Sequence, residues 1–476
     1  MLKLLAVLAL ITLLWWVALW LLIPVDWQQV SPTVMLLAHL LPPMLLTALG
    51  HAWRLRQEKQ AQAAAQAQAE SEAAAQQARR EEASERHLAA LRERQQMVSC
   101  RWLLVQAVVQ REEPAWLDEL PPACQWTART RDEWEPGNEA LDGLMPWLEE
   151  GLQALYDEQP GAASLPLLLE VLPQMSGIEQ VDRIRQCQEA AWQAARGDMP
   201  QPVSDCRFLP GSGTVADRVM QFLAQDPELP GAVVLAADAP LALLDVGREE
   251  PNAAVRAQWL QLGRPGAAVV LLLFLRDGLA APVGSALAAG RDPYQPYWER
   301  EDVPSPAGWG RVPEHARAAL AALPHLARLA QSSSAGLQQQ GTLQLTRQLQ
   351  PLLDNALVNA ALLDYPFDPE EADPQRNQAD SVAWLVHNGG DADVGGTRLA
   401  AIASNLTRHQ IDLLPVDEAS NLVREWGDVG AAVPAMLAAL AVTHSVRLQA
   451  PALLTQFHHD HVALALARPA LPENAT

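Results

Sequence analysis

The sequence predicts an α/β protein of two successive layered halves, preceded by a two-helix transmembrane hairpin and a long polar helix. Three observations predict it. Two apolar runs near the N-terminus carry no charge. The stretch from Leu55 to Val98 is rich in Ala, Gln, Glu and Arg and contains neither Gly nor Pro. From Leu165 onward, short apolar strand-like segments alternate with amphipathic helices. The expected organisation is a transmembrane hairpin over 1–53, a helical stalk over 54–99 and a small lead-in subdomain over 100–164. A first α/β half over 165–330 and a second over 331–476 complete it.

The first run, LLAVLALITLLWWVALWLLIPV, follows Lys3 and is uncharged up to Asp26. It has the length that a bilayer core requires of a helix. The second, VMLLAHLLPPMLLTALG, holds Pro42 and Pro43, which neighbouring helices can accommodate in lipid. The loop near DWQQVSPT has no basic residue, whereas Lys3 flanks one side of the hairpin and Arg54, Arg56 and Lys59 the other. Positive-inside logic puts both ends of the hairpin in the cytoplasm. The expectation is a two-pass bacterial inner-membrane protein with the bulk of the chain cytoplasmic. A cleaved signal peptide followed by a buried helix is the alternative. The first run is too long for a signal h-region, and no small-residue cleavage pattern follows it.

The stalk segment consists of strong helix formers. Its large apolar residues are too sparse for a regular heptad seam, although an Ala-seamed coiled coil, and with it a homo-oligomer, stays open. With 476 residues and 49% hydrophobic content, the rest can bury a large core. A formal charge of -22 supplies no basic stripe to neutralise phosphates, which excludes nucleic acid as the expected partner. Cys100, Cys124, Cys187 and Cys206 are scattered without metal-ligand spacing. No cofactor is expected.

In the first half, LPLLLEVLP, GAVVLAADAP and GAAVVLLLFLRDGLAAP read as strands, and IEQVDRIRQCQEAAWQAA and GTVADRVMQFLAQ as helices. The Pro-, Gly- and Trp-rich stretch ALAAGRDPYQPYWEREDVPSPAGWG reads as a long connection, and QSSSAGLQQQG as a polar linker. In the second half, GTLQLTRQLQPLLDNALVNAALLD, TRLAAIASNLTR and VGAAVPAMLAALAVTH read as helices. SVAWLVHNGG is a strand ending in a Gly-rich turn, and QAPALLTQFHHDHVALALARP holds two closing strands.

These segments resemble the condensing-enzyme (β-ketoacyl synthase, thiolase-like) pattern over about residues 165 to 470. GSGTVADRVMQFLAQDPELPGAVVLAADAPLALL followed by RPGAAVVLLLFLRD is similar to the family's nucleophile elbow, helix and strand. SVAWLVHNGGDADVGGTRLAAI, EWGDVGAAVPAMLAALA and TQFHHDHVALALAR resemble, in order, its first His turn, its Gly-Ala-rich helix start and its closing strand. The resemblance places the nucleophilic Cys near Gly211 or Ser212, the first His near His387 and the second His at Asp428. Neither Gly211 nor Ser212 is a thiol, and an Asp stands where the second His belongs. Condensation needs a thiolate to carry the acyl chain and donors to hold an enolate oxygen. The expectation is a thiolase-like fold whose chemistry is lost, serving as an adaptor or scaffold. MQFLAQDPELPGAVVLAADAP is also similar to a stretch of type VI secretion lipase-adaptor proteins. Those load a lipase effector onto a secretion spike, so the resemblance implies a secreted lipase or spike protein as partner. The rival readings are an acyl-transfer or condensing enzyme with a non-standard nucleophile, and an oligomeric structural membrane protein.

Three clusters could carry chemistry. His458, His459, Asp460 and His461 offer metal-ligand types. Neighbouring residues on a strand face opposite ways, however, so a polar loop at a strand start is the expectation. Ser212 in PGSGT could sit on a nucleophile turn, but only one Gly follows it where G-x-S-x-G has two positions. Capping of the next helix by Ser212 or Thr214 is the plainer role. His387 with Asp391, Asp393 and Asp428 could line a polar cleft between the halves suited to acid–base work. Exposed acids in a Gly-rich turn that ends the strand are the expectation.

Overall fold

The computed structural model describes residues 2–22, 31–110, 112–134, 141–202, 204–243, 253–277, 279, 309, 312–337 and 341–470. The chain divides into two units, Met1–Leu88 and Ala89–Thr476.

The first unit holds helix α1 (Leu2–Leu22) and most of helix α2 (Pro32–Arg94). Both are long and apolar enough to cross a membrane. They are tied side by side: the indole N–H of Trp15 donates to the Ala38 carbonyl (2.9 Å), and Trp16 packs edge-on against His39. Pro42 and Pro43 lie inside α2. The second membrane segment and the stalk, expected to part at Trp53, form one helix of 63 residues, about 95 Å long at 1.5 Å per residue. Its polar part carries i,i+4 pairs such as Gln66–Glu70, Gln68–Glu72 and Gln77–Glu81, which support an exposed helix. The stalk ends at Arg94 rather than at residue 99.

The second unit is built from β1 (Met97–Val108), β2 (Cys124–Arg129), α3 (Met145–Glu158), β3 (Leu167–Leu169), α4 (Gly177–Arg196), β4 (Cys206–Phe208), α5 (Val215–Gln225), β5 (Gly231–Asp238), α6 (Ala253–Leu262) and β6 (Ala268–Arg276). There follow α7 (Glu314–Ala321), β7 (Ala327–Ala330), β8 (Ser333–Gly336), α8 (Thr342–Asn359), β9 (Trp384–His387), α9 (Ala392–Arg408), β10 (Ala419–Asn421), α10 (Leu422–Glu425), α11 (Val433–Leu448), β11 (Ala452–Phe457) and β12 (His461–Pro469).

The strands join in the order β10-β9-β11-β12-β7-β1-β6-β5-β3-β4, with β2 beside β1 and β8 beside β12. This order is a duplication. Numbering the strands of each half along the chain as β1, β3, β4, β5, β6 and as β7, β9, β10, β11, β12, both halves run third, second, fourth, fifth, first. In both, the first-to-pair strands are parallel and the fifth strand is antiparallel to its neighbours. The halves meet where β1 pairs antiparallel with β7, Met97 opposite Ala330.

This topology corrects the expected lead-in subdomain. Residues 100–164 do not stand apart. They give the first half its β1, at the middle of the sheet, and α3, which packs on its outer face. The second half begins with β7 at Ala327. The polar linker QSSSAGLQQQG contains β8, paired with the start of β12, while residues 338–340 lie outside the described residues. Most of the long connection over 286–310 also lies outside them, although Trp309 is fully buried.

Three cores explain the sequence pattern. The central one takes α5, α11 and the inner face of both halves. The second takes α3, α4 and the outer face of the first half, and the third α8, α9 and the outer face of the second. A strand buried on both faces reads as an unbroken apolar run. In β6, Val270, Leu272 and Phe274 enter the central core, and Val269, Leu271, Leu273 and Leu275 the outer one. In β1 the alternation switches parity across a bulge at Cys100/Trp102: Cys100 and Leu103 both face inward. α11 is apolar on every side, long enough to span a membrane by composition, and buried from Ala435 to Ser445.

Candidate functional site

A cavity of about 930 Å3 opens where the parallel strands of both halves end. The first half contributes Glu170 after β3, Gly211 before α5 and Asp238 at the end of β5. The second contributes Asn388 after β9, Arg398 from α9, Asp428 and Gly430 before α11, and the β11–β12 hairpin with His458 and His459. Apolar walls from Trp259, Leu262, Val433 and Phe457 separate these groups.

The turn that opens α5 has Gly211 and Gly213 at φ of +86° and +106°, a region that favours glycine. Ser212 between them is exposed and does not cap the helix. Thr214 does: its hydroxyl oxygen accepts from the Asp217 N–H, and Asp217 accepts from the Thr214 N–H (3.0 Å), a reciprocal cap. Arg218, one turn on, holds the whole turn. Its Nη1 donates to both oxygens of Glu170 (2.6 and 2.8 Å), while Nη2 and Nε donate to the carbonyls of Leu209 and Pro210. The pair is buried, and burial raises the Glu170 carboxyl although Arg218 opposes it. No His or carboxylate bonds the Ser212 hydroxyl among the described residues.

Asp238 closes the opposite wall. Its carboxylate accepts from Ala239 N–H (2.8 Å) and from Ala431 N–H (2.7 Å). Asp428 accepts from Gly430 N–H (2.9 Å). Burial pushes both carboxyls up, and Asp428 raises Asp238 further. Gly430, at φ +54°, is required here, because a Cβ would strike the Asp238 carboxylate.

His387 ends β9 with 3% of its surface exposed and does not line the cavity. Its Nδ1 accepts from Gly389 N–H (3.1 Å), so Nε2 carries the proton of the neutral ring. Burial lowers its pKa to about 4. The neighbouring Asn388 reaches the cavity instead, exchanging hydrogen bonds with the Phe457 backbone (2.9 and 2.7 Å). The cleft that His387, Asp391, Asp393 and Asp428 could have formed is therefore not assembled. Asp428 lines the main cavity, Asp391 lines a smaller one beside it, and the side chain of Asp393 lies outside the described residues. α9 starts at Ala392, so most of GGDADVGG is helix rather than turn.

His458, His459 and Asp460 form the tip of the β11–β12 hairpin, and His461 begins β12, which is the polar loop at a strand start that the sequence suggests. The His458 and His461 rings stack at 4.0 Å, and His461 pairs with the exposed Asp460 (2.8 Å). Among the described residues no three His, Cys, Asp or Glu side chains gather as metal ligands.

All four cysteines are buried and unpaired with one another. Burial raises each thiol, Cys206 to about 11 and Cys124 and Cys187 to about 12, with Cys100 raised as well. Asp238, Glu170, Arg218 and Arg398 were not legible as site residues. The only signal was an acid that ends or interrupts an otherwise apolar strand, as in GAVVLAAD and LPLLLEV.

The repeated strand order, with a cavity at the strand ends of both halves, defines a thiolase-like α/β domain, as the order of the sequence motifs predicts. No family model and no curated protein matches the chain. Solved structures similar to it include human mitochondrial 3-ketoacyl-CoA thiolase, at a TM-score of 0.40 and 10% identity over 79% of this chain and 99% of that one. A tetronic acid condensing enzyme is similar at a TM-score of 0.38 and 13% identity over 78% and 99%. A variant of OleA from Xanthomonas campestris is similar at 0.38 and 13% over 79% and 99%. These likenesses are distant, and the duplicated strand order carries the fold assignment without them.

Proposed function

We propose that this is a membrane-anchored, thiolase-like protein without condensing activity, acting as an adaptor that binds another protein. The observation that carries the loss of activity is the Gly-Ser-Gly turn opening α5. It presents an exposed hydroxyl that no described base hydrogen-bonds, while every cysteine of the chain is buried with its thiol raised. A thiolate is the nucleophile that acyl transfer by this route requires, and raised thiols do not supply it at neutral pH. The two N-terminal helices support anchoring, and the basic flanks of the hairpin support a two-pass inner-membrane topology with the thiolase-like unit in the cytoplasm. The similarity of Met220–Pro240 to secretion lipase adaptors supports a lipase effector or spike protein of a type VI system as the partner.

Two measurements test this reading. Purified protein incubated with acyl-CoA is expected to show no covalent acyl adduct by mass spectrometry. A stoichiometric adduct that disappears in Ser212→Ala would establish the acyl-transfer alternative, which the open, apolar-walled cavity favours. For the adaptor role, a lipase and spike proteins are expected to be encoded beside this gene and to bind the purified chain directly. The absence of such neighbours, or of binding to any of them, would remove the secretion reading.

A further inference from the structure

A second cavity of about 310 Å3 shares Trp259 and Val423 with the main one. Among the described residues, Arg256 and Arg264 from the first half and Arg424 from the second line it, together with the carboxylate of Asp391. In a chain of formal charge -22 this is a local reversal of sign. Such a reversal concentrates anions that the molecule otherwise repels.

The backbone beneath two of these arginines is fixed. The Arg264 carbonyl accepts from Asp428 N–H (2.9 Å), and Gly266 N–H donates to the Asp428 carbonyl (2.8 Å). Gly263, at φ +93°, crosses Gly427 so closely that a Cβ would come within 2.6 Å of the Gly427 Cα. Arg424 rides on α10, whose start is capped by Asn421 accepting from Val423 N–H (3.2 Å). The Arg264 guanidinium stands 5.8 Å from the centre of the Trp259 ring. Gln110 completes the wall, its amide held by the Trp426 carbonyl (3.1 Å).

We propose that this cavity binds a phosphate group, either free or at the end of a small ester. A guanidinium presents paired N–H donors that match two phosphate oxygens, and it stays charged at every physiological pH. The guanidiniums of Arg264 and Arg424, the two that the test below removes, supply the positive charge and paired donors that suit an anion of this kind. The cavity is larger than a bare phosphate, and the Trp259 face offers an apolar surface to the substituent. A soluble phosphate and the headgroup of a phosphatidic-acid lipid share this chemistry. The proposal uses neither the α5 turn nor the adaptor role, so each can fail without the other.

The test is calorimetric titration of the full chain in nanodiscs of zwitterionic lipid, at low ionic strength. Inorganic phosphate forms one arm and dihexanoyl phosphatidic acid, below its micelle concentration, the other. Saturable binding of one ligand per chain is expected, weakened at least about tenfold in Arg264→Gln/Arg424→Gln. Tighter binding of the lipid arm would point to a headgroup, and equal binding to a soluble phosphate. Arg424→Gln alone, on an exposed position, gives a second variant should the double change disturb folding, and a thermal melt like that of the wild type confirms that it is folded. No saturable binding in either arm, or an unchanged affinity in a folded variant, overturns the proposal.

Discussion

The carboxylate of Asp238, at the end of the first half's β5, accepts a hydrogen bond from the Ala431 N–H at the start of the second half's central helix (2.7 Å). One side chain thus ties the two halves at the floor of their shared cavity. Asp238→Ala leaves the buried N–H groups of Ala239 and Ala431 without acceptors. It is expected to cost about 2–6 kcal/mol, at about 1–3 per orphaned donor. Asp238→Asn, which keeps one acceptor, should cost less. Denaturant titration of both variants checks the order; an Ala variant as stable as the wild type would deny the clasp.

Arg218 satisfies Glu170 and the carbonyls of Leu209 and Pro210 at once. Arg218→Met alone strands a buried carboxylate and is expected to cost about 3–5 kcal/mol. Glu170→Gln combined with Arg218→Met should recover part of that loss. A double-mutant cycle with no coupling would show that the pair is not linked as described.

Glu425 is the clearest source of pH dependence. One of its oxygens accepts from Asn421 N–H (3.2 Å), and burial raises its pKa to about 7 from an ordinary 4.5, although the indoles of Trp116 and Trp426 beside it favour the charged form. The folded chain therefore holds a proton that the unfolded chain releases between these values. Stability contributed by the neutral acid is present below pH 4.5 and declines as pH rises through 7. The decline is on the order of 3 kcal/mol. Glu425→Gln should match the wild type at pH 4.5 and exceed it at pH 8. Parallel stability curves across this range would contradict the assignment.

The four thiols should be silent toward a disulfide reagent in the native state at pH 8 and react together on unfolding, because all four are buried and raised. A single fast-reacting cysteine in native protein would reopen the question of a thiol nucleophile.

Topology is tested by C-terminal fusions. A fluorescent protein should light up and alkaline phosphatase should stay inactive, as the basic flanks of the hairpin require. The opposite pattern would place the thiolase-like unit outside the cytoplasm.

The alternation of strands and helices was legible because β5 and β6 are buried on both faces and advertise it as apolar runs. The place of β1 was not. Its partners, β6 and β7, lie far along the chain, so no local pattern shows that Met97–Val108 completes the first half. A truncation beginning at Ser164 is accordingly expected to be insoluble, whereas one beginning at Ala89 should melt cooperatively. In the site, Asp428 could be found from its Gly-Ala-rich context. His387 was placed one residue wrong for the cavity, because strand alternation turns Asn388 toward it and His387 into the core.

β1 also sets the tempo of biosynthesis. It leaves the ribosome long before β6, which runs along it from Val98 to Ala107. With β1 ending at Val108 and β6 at Arg276, 168 residues separate them. At about 5–20 residues per second this is a wait of roughly 8–34 s. During that interval β2, in register from Leu103 opposite Cys124, is the one strand partner of β1 yet synthesised. The short parallel β2 thus holds part of one edge of β1 out of reach of other chains until β6 and β7 are made.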